Sequence, residues 1–159
     1  SRYLVDLLSQ STPKIILPAS IFILGSFISF STGTSYGTMG ILMPLAIPLA
    51  SAVGANSGLA GDALHAYMIV NISAVLTGAI FGDHCSPISD TTILSSMGAG
   101  CNHIDHVQTQ MPYALSVCAI SIVVGYLPVA LGLSIWIALP LGLLATALFV
   151  RFVGQKVEA

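Results

Sequence analysis

Between residues 15 and 150 the sequence contains no Lys, Arg or Glu, and its only acidic residues there are Asp62, Asp83, Asp90 and Asp105. A soluble helix needs solvated polar groups along its outer face, and this stretch cannot supply them. Only 6% of the chain is charged, against about 25% in an average soluble domain. The scarcity of Lys and Arg also excludes nucleic acid as a partner, and 55% apolar content excludes disorder. The chain is therefore predicted to be an integral membrane protein.

The last two apolar blocks are the simplest to interpret. A helix that crosses a bilayer needs about 20 apolar residues, and the blocks at 113–131 and 135–152 approach that length, with Arg151 near the end of the second block as their one charged residue. They are predicted to be transmembrane helices, kinked at Pro128 and Pro140. Residues 1–14 are more polar and are predicted to be an interfacial lead-in. The chain opens with Ser1 instead of Met, so we suspect a fragment of a longer protein.

Residues 15–54 are predicted to form a helical hairpin with its tip at 31–38. Its two apolar arms are short for a full crossing of the membrane. The tip is rich in Ser, Thr and Gly, and its backbone N–H and C=O groups need hydrogen-bond partners that lipid cannot supply. Pro44 and Pro48 are expected to weaken the second arm as a regular helix. We favour a re-entrant hairpin with its tip inside the protein. The alternative is two short spans joined by a loop outside the membrane.

Residues 64–99 are predicted to form a discontinuous transmembrane helix, interrupted at 82–90 by two acids, a His and a Pro. Before the break, Ala74, Gly78 and Gly82 follow one another at intervals of four residues, a spacing that lets a second helix approach closely. The break is thus expected to enter the protein interior. The predicted fold class is all-α: a polytopic membrane protein with a re-entrant hairpin and a discontinuous transmembrane helix.

Interrupted helices of this kind are typical of ion transporters, because free carbonyl and N–H groups then lie at membrane depth. Hydroxyl oxygens suit a hard cation such as Na⁺, and a carboxylate inside the membrane is a functional candidate by default. One carboxylate can hold either H⁺ or Na⁺, so the two ions compete for it. This competition is enough for exchange if the site faces each side of the membrane in turn. We therefore predict a Na⁺ site at Asp83 and Asp90, with Asp83 as the first candidate for the exchangeable carboxylate and Asp90 as the second. Neutral oxygen ligands are predicted from the two polar segments, at Thr32, Thr34, Ser35, Ser86, Ser89 and Thr91.

Some of these residues have structural alternatives. Asp90 or Ser89 could cap the helix that follows, a role compatible with ion binding. Asp83 is expected to follow a helix C-terminus, which is an unfavourable place for an anion, so a purely structural role explains it less well. Asn71 is predicted to bond a neighbouring helix, with ion ligation as the alternative.

The Cys and His residues at 101–106, together with 83–85, raise the alternative of a zinc-dependent membrane enzyme. The sequence contains neither a His-Glu-x-x-His motif nor a Cys-x-x-Cys pair, so the spacing supports zinc poorly. We consider His84, His103 and His106 candidates for pH sensing, because histidine changes its charge near neutral pH. A third alternative is a scaffold whose polar breaks only pack helices.

One run of the sequence resembles a known family. Residues 81–96, FGDHCSPISDTTILSS, and their continuation to residue 114 strongly resemble the NhaC-type sodium/proton antiporter family. The segment 32–38, together with Pro44, is similar to a second characteristic segment of that family. The resemblance extends over roughly residues 30–115 of the chain.

The resemblance implies a multi-pass secondary transporter of a bacterial-type inner (plasma) membrane, which expels Na⁺ against H⁺ entry and is not an enzyme. It implies a fold of two inverted repeats that share one site. This chain would be one repeat, in the C-terminal part of the transporter. The implied partners are the lipid bilayer, Na⁺ and H⁺, the missing N-terminal half and, in a homo-oligomer, a second copy. No cofactor and no nucleic acid is expected.

The resemblance also leaves the transported substrate open. Some members of the family resemble exchangers that couple Na⁺ and lactate to malate and protons, so Na⁺-coupled organic anion exchange is the alternative function. The absence of Arg and Lys between residues 15 and 150 argues against a dicarboxylate site here. Helix N-termini can nevertheless hold anions.

Overall fold

A computed structural model describes Ser9 and residues 12–154, so most of the predicted lead-in at 1–14 lies outside the described residues. Within that part the chain is helical and contains no β-strand. In chain order the helices are α1 (Leu17–Thr32), α2 (Ser35–Asn56), α3 (Gly61–Cys85), α4 (Asp90–Gly98), α5 (His103–Ala130) and α6 (Ile135–Val153).

Four of these helices are long and apolar enough to cross a membrane, namely α2, α3, α5 and α6. The helix α1 has 16 residues and is shorter than a full crossing requires. The all-helical, multi-span architecture is thus confirmed for the described part of the chain. The re-entrant path of the hairpin and the inverted repeat remain predictions.

The turn between α1 and α2 is tighter than the predicted tip at 31–38. Only Gly33 and Thr34 separate the two helices. Gly33 ends α1 with a φ of 68°, a left-handed conformation that glycine adopts without strain, and its N–H donates to the Ser29 carbonyl. Thr34 begins α2, because its hydroxyl accepts the backbone N–H of Gly37. The remaining polar residues of the tip therefore lie on helical turns.

The second arm of the hairpin is a continuous helix. The helix α2 passes through Pro44 and Pro48 and reaches 22 residues, so the expectation that these prolines would weaken it is wrong. Each proline removes one backbone hydrogen bond. The buried side chains of Leu42, Ala46 and Ala50 pack in the core and hold the helix together across these gaps.

The core lies where α3 packs against both α1 and α2. The predicted small-residue face of α3 makes the approach to α1, because Ala74, Gly78 and Gly82 are all buried. A Cβ atom at Gly78 would overlap the Phe22 carbonyl, and one at Gly82 would overlap the Ser26 carbonyl. The two backbones are in direct contact, which confirms the interpretation of this spacing.

The helices α5 and α6 lie at the edge of this core, and α5 packs against it through the partly buried side chains of Cys118, Ile122 and Tyr126. Of the residues that the structure describes in these two helices, only Ala138 is buried. The helix α5 starts at His103, before the predicted start at residue 113. It contains a π-helical turn, Ser121–Tyr126, just before Pro128, whose ring excludes the regular i→i−4 hydrogen bond. Apolar faces as exposed as these are typical of contact with lipid or with another protein segment.

Candidate functional site

The chain between α3 and α4 is non-helical only over residues 86–89, a shorter break than the predicted 82–90. Asp83 therefore lies in the last turn of α3, and the expectation that it follows the helix C-terminus is wrong. The helix ends where it does because Pro87 disfavours the helical conformation at Ser86, which is extended. The Ser86 N–H turns back to the Asp83 carbonyl at 3.3 Å.

The carboxylate of Asp83 is buried and surrounded by hydroxyl groups. Its side chain is 7% exposed. The Ser89 hydroxyl donates to Oδ1 at 2.6 Å. On Oδ2, the Ser35 hydroxyl donates at 3.3 Å and that of Thr91 at 3.5 Å. These hydroxyls come from both polar segments, so the hairpin turn and the helix break meet at this carboxylate.

Two helix N-termini reach the same carboxylate. Ser35 is the first residue of α2, and Ser89 is the N-cap of α4. The N-terminus of a helix carries a partial positive charge. Asp83 is therefore in a favourable place for an anion, although the C-terminus of its own helix, which carries a partial negative charge, lies beside it.

No basic side chain can neutralise Asp83 from within the membrane stretch, because residues 15–150 contain no Lys or Arg. The neighbouring His84 is exposed and, in the part of the chain that the structure describes, its side chain makes no hydrogen bond. Burial of an uncompensated charge is costly. When ionised, the Asp83 carboxylate is thus a negative group with only polar partners. One cation, either a proton or a metal ion, would balance its charge.

The other predicted ligands have partners of their own. The Ser86 hydroxyl donates to the Phe30 carbonyl at 2.7 Å, which joins the break to the end of α1. The Thr32 hydroxyl donates to the Ile28 carbonyl within α1. Thr34 is occupied as the N-cap of α2. These three side chains shape the surroundings of Asp83 without contacting its carboxylate.

Asp90 does not join the cluster around Asp83. It is the first residue of α4, its side chain is exposed, and none of the described residues bonds its carboxylate. The N-cap of α4 is Ser89, whose oxygen accepts the Thr91 N–H at 3.2 Å. Of the two capping candidates, the structure selects Ser89.

Two residues outside the predicted ligand set complete the site. The Thr92 side chain is buried, and its hydroxyl shares its proton between the carbonyls of Asp83 and His84, at 3.4 and 3.3 Å, which joins the start of α4 to the end of α3. The Ser29 hydroxyl donates to the Ala79 carbonyl at 2.5 Å and fastens α1 to α3. Nothing in the spacing of the sequence indicates either contact.

The histidines differ in their surroundings. His103 lies at the start of α5, and both of its ring nitrogens have partners: Nε2 contacts the Pro87 carbonyl at 2.6 Å and Nδ1 the Ser96 hydroxyl at 3.1 Å. The side chain of His106 makes no hydrogen bond with any described residue. Among the described residues no three His, Cys, Asp or Glu side chains lie together as a metal cluster. The zinc alternative therefore gains no support from this part of the chain.

Asn71 is fully buried in α3. Its Nδ2 donates to the Tyr67 carbonyl of the same helix at 2.8 Å. Its Oδ1 has no partner among the described residues. The expectation that it bonds a neighbouring helix is wrong within the described part of the chain, because the one side-chain bond found there closes within its own helix.

Comparisons with known proteins identify the family of this sequence. The Na⁺/H⁺ antiporter family matches residues 1–131. A relative from Haemophilus influenzae, described as an uncharacterized protein, is 48% identical over 128 residues, which are 80% of this chain and 22% of the relative. An uncharacterized Na⁺/H⁺ antiporter of the same organism is 33% identical over 100 residues, 63% of this chain and 19% of the relative.

A third relative is the malate-2H⁺/Na⁺-lactate antiporter of Bacillus subtilis. It is 33% identical over 99 residues, 62% of this chain and 19% of the relative. The chain thus spans about a fifth of the length of these relatives. No solved structure matches. Since the family match covers most of the sequence, including both polar segments, the chain belongs to the Na⁺/H⁺ antiporter family.

Proposed function

We propose that this chain is part of a secondary transporter that exchanges Na⁺ for H⁺ across a bacterial-type cell membrane, with Asp83 as the exchangeable carboxylate. The observation that carries the proposal is the position of that carboxylate. It is buried in a helix long and apolar enough to cross a membrane. Among the described residues only hydroxyls bond it, and residues 15–150 contain no Lys or Arg to neutralise it. Such a group needs a mobile cation.

Exchange follows from competition for one site. When Asp83 is ionised, its two oxygens and the hydroxyl oxygens of Ser35, Ser89 and Thr91 form a set of hard ligands, since each hydroxyl lies within hydrogen-bonding distance of the carboxylate. Each hydroxyl has lone pairs besides its proton, so it can turn to face a cation. When Asp83 is protonated, the charge that attracts Na⁺ is gone. A transporter that exposes this site to each side of the membrane in turn exchanges the two ions.

Asp90 and Thr34 remain part of the proposal in a supporting role. Both are exposed near the carboxylate cluster, at the residues where α4 and α2 begin. We propose that a further segment of the full-length protein covers this side of the site. The length of the relatives, about five times that of this chain, supports such a segment.

Exchange of an organic anion is the second candidate, and the B. subtilis malate-2H⁺/Na⁺-lactate antiporter favours it. The arrangement around Asp83 argues for a cation at this site. The two helix N-termini that would attract a substrate carboxylate already face the carboxylate of Asp83. A second anion at the same place would be repelled.

The test is Asp83→Asn in the full-length protein, with Asp62→Asn as the matched control. Asp62 lies exposed in the first turn of the same helix, away from the cluster. Proton movement is measured with a pH-sensitive dye in everted membrane vesicles, on addition of Na⁺, Li⁺ or malate. We expect Asp83→Asn to abolish the Na⁺ response and Asp62→Asn to retain it. A Na⁺ response that survives Asp83→Asn refutes the assignment, and a response only to malate favours the anion exchanger.

A further inference from the structure

The connection between α4 and α5 holds His103 in a defined place. Gly100 has a φ of 65°, and the N–H of Cys101 bonds the Ser96 carbonyl at 3.1 Å, so α4 ends in a Schellman turn. Asn102 then caps α5 by accepting the N–H of Ile104 at 2.9 Å. With both helix ends closed, His103 projects from the first turn of α5 back along α4.

The imidazole of His103 joins three elements. The Pro87 carbonyl can only accept, so Nε2 carries the proton of the 2.6 Å bond. On the other side, Nδ1 lies 3.1 Å from the hydroxyl of Ser96, in α4. His103 thus connects the non-helical segment 86–89 with α4 and α5.

The same short segment is held at two further points. The Ser86 hydroxyl binds the end of α1, and the Ser89 hydroxyl binds Asp83 itself. Pro87 lies between these two serines, so the bond from His103 constrains the peptide units that connect them. A shift of this carbonyl would move the Ser89 hydroxyl relative to Oδ1 of Asp83, because Ser89 is two residues away.

We propose that His103 is a positioning residue for the Asp83 site: by holding the Pro87 carbonyl, it keeps Ser86 and Ser89 in the geometry that the ion site requires. The inference rests on the proposed function. It needs only a proton on Nε2, which neutral imidazole supplies, so it is separate from a role in pH sensing. Among the described residues, His103 makes no hydrogen bond with Asp83 or with the hydroxyls that bond it, and its effect is therefore on site geometry.

The experiment compares His103→Gln with His103→Met in the full-length protein, with His106→Met as control. Gln and Met have similar volume, but only Gln can donate a hydrogen bond to Pro87. Loss of one hydrogen bond corresponds to about a fivefold change in affinity. We expect His103→Met to raise the KM for Na⁺ about fivefold with little change in kcat. His103→Gln and His106→Met should stay within about twofold of the unmodified protein.

A second measurement does not depend on transport. Cys85 is buried and directly precedes the break, so its rate of labelling by a maleimide reports on the packing of this segment. Cys101 and Cys118 are first replaced by Ser, so that Cys85 is the only reactive thiol among the described residues. We expect faster labelling in His103→Met, and labelling at the unmodified rate in His103→Gln and His106→Met.

These outcomes separate the two proposals. If His103→Met has an unchanged KM and an unchanged labelling rate, or if only the labelling rate changes, His103 does not position the site. If His103→Gln is as impaired as His103→Met, the hydrogen bond to Pro87 is not the cause. If the unmodified protein shows no Na⁺ exchange, the proposed function fails, and the Cys85 labelling rates still decide whether His103 holds the break.

Discussion

The hydroxyl of Ser89 donates a 2.6 Å hydrogen bond to Oδ1 of Asp83, while the same oxygen accepts the backbone N–H of Thr91 at 3.2 Å. The Ser89 side chain therefore serves both as a hydrogen-bond donor to the carboxylate and as the N-cap of α4. Since both bonds share one oxygen atom, the orientation of the hydroxyl couples the carboxylate to the start of α4. A cation that displaces the hydroxyl proton from Oδ1 would act on the cap as well.

Replacement of Ser89 by Ala removes both interactions, whereas Ser89→Thr keeps the hydroxyl. Ser89→Ala removes one oxygen ligand of the proposed Na⁺ site, and if that ligand contributes as much as a hydrogen bond to a charged group, about 1.5–3 kcal/mol, the KM for Na⁺ rises by roughly tenfold or more. Loss of the cap is expected to lower the stability by about 1 kcal/mol. Vesicle exchange assays measure the first effect, and thermal unfolding in detergent the second. An unchanged KM in Ser89→Ala would exclude this hydroxyl from the ion site.

The two acids of the break are expected to differ in their effects. Asp83 is buried and bonded by hydroxyls, whereas Asp90 is exposed and lies at the first position of α4. A carboxylate there stabilises the helix N-terminus by about 0.3–1 kcal/mol. We expect Asp90→Asn to reduce exchange by at most about fivefold, compared with complete loss in Asp83→Asn. Equal loss in both variants would show that Asp90 is also indispensable.

Ser86 anchors the break to α1, and its removal leaves the Phe30 carbonyl without this donor. The Ser86 side chain is fully buried, and a hydrogen bond of this kind contributes about 0.5–1.5 kcal/mol net, so Ser86→Ala is expected to lower the free energy of unfolding by that amount. Ser20→Ala is the control, because the Ser20 hydroxyl is exposed and bonds only the Ile16 carbonyl of its own helix region. That variant should lie within about 0.5 kcal/mol of the unmodified protein. Similar unfolding temperatures for the two variants would contradict the anchoring role.

The close contact of α1 and α3 at Gly82 can be tested by a single methyl group. In Gly82→Ala the new Cβ would overlap the backbone of Ser26 and Phe30, which cannot move aside as a side chain can. Overpacking of this kind costs about 1–3 kcal/mol, and we expect a corresponding loss of thermal stability.

Gly142→Ala is the matched control for that substitution. Gly142 lies inside α6, and a Cβ atom added there would meet no atom of another described element within 4 Å. Alanine is also the better helix former by about 1 kcal/mol. This variant should be as stable as the unmodified protein or slightly more so. Destabilisation by Gly142→Ala equal to that by Gly82→Ala would mean that the contact with α1 is not the cause.

Several features of the site could be predicted because they are local in the sequence. Asp83 and Ser89 are six residues apart, so a short break between two helices brings them together wherever those helices lie. The spacing of Ala74, Gly78 and Gly82 places them on one face of any α-helix. The prolines misled the prediction of α2, because the cost of a missing hydrogen bond is local while the packing that offsets it is not.

Other features depend on contacts between distant residues. Ser35 reaches Asp83 from 48 positions away, and Ser86 reaches Phe30 from 56. His103 meets Pro87 only because the Schellman turn folds α5 back along α4. The periodicity of the sequence does not predict such contacts, since they depend on how whole helices pack against one another.

The sequence by itself determined that the chain is a helical membrane protein with two polar segments, one of them containing two acids, because a stretch without Lys, Arg or Glu can be stable only in lipid or in protein contact. Only the tertiary structure decided which acid is enclosed. It places Asp83 among the hydroxyls that begin α2 and α4 and leaves Asp90 outside them. The physical reason is that the close backbone contact at Gly82 brings the end of α3 against the hairpin turn.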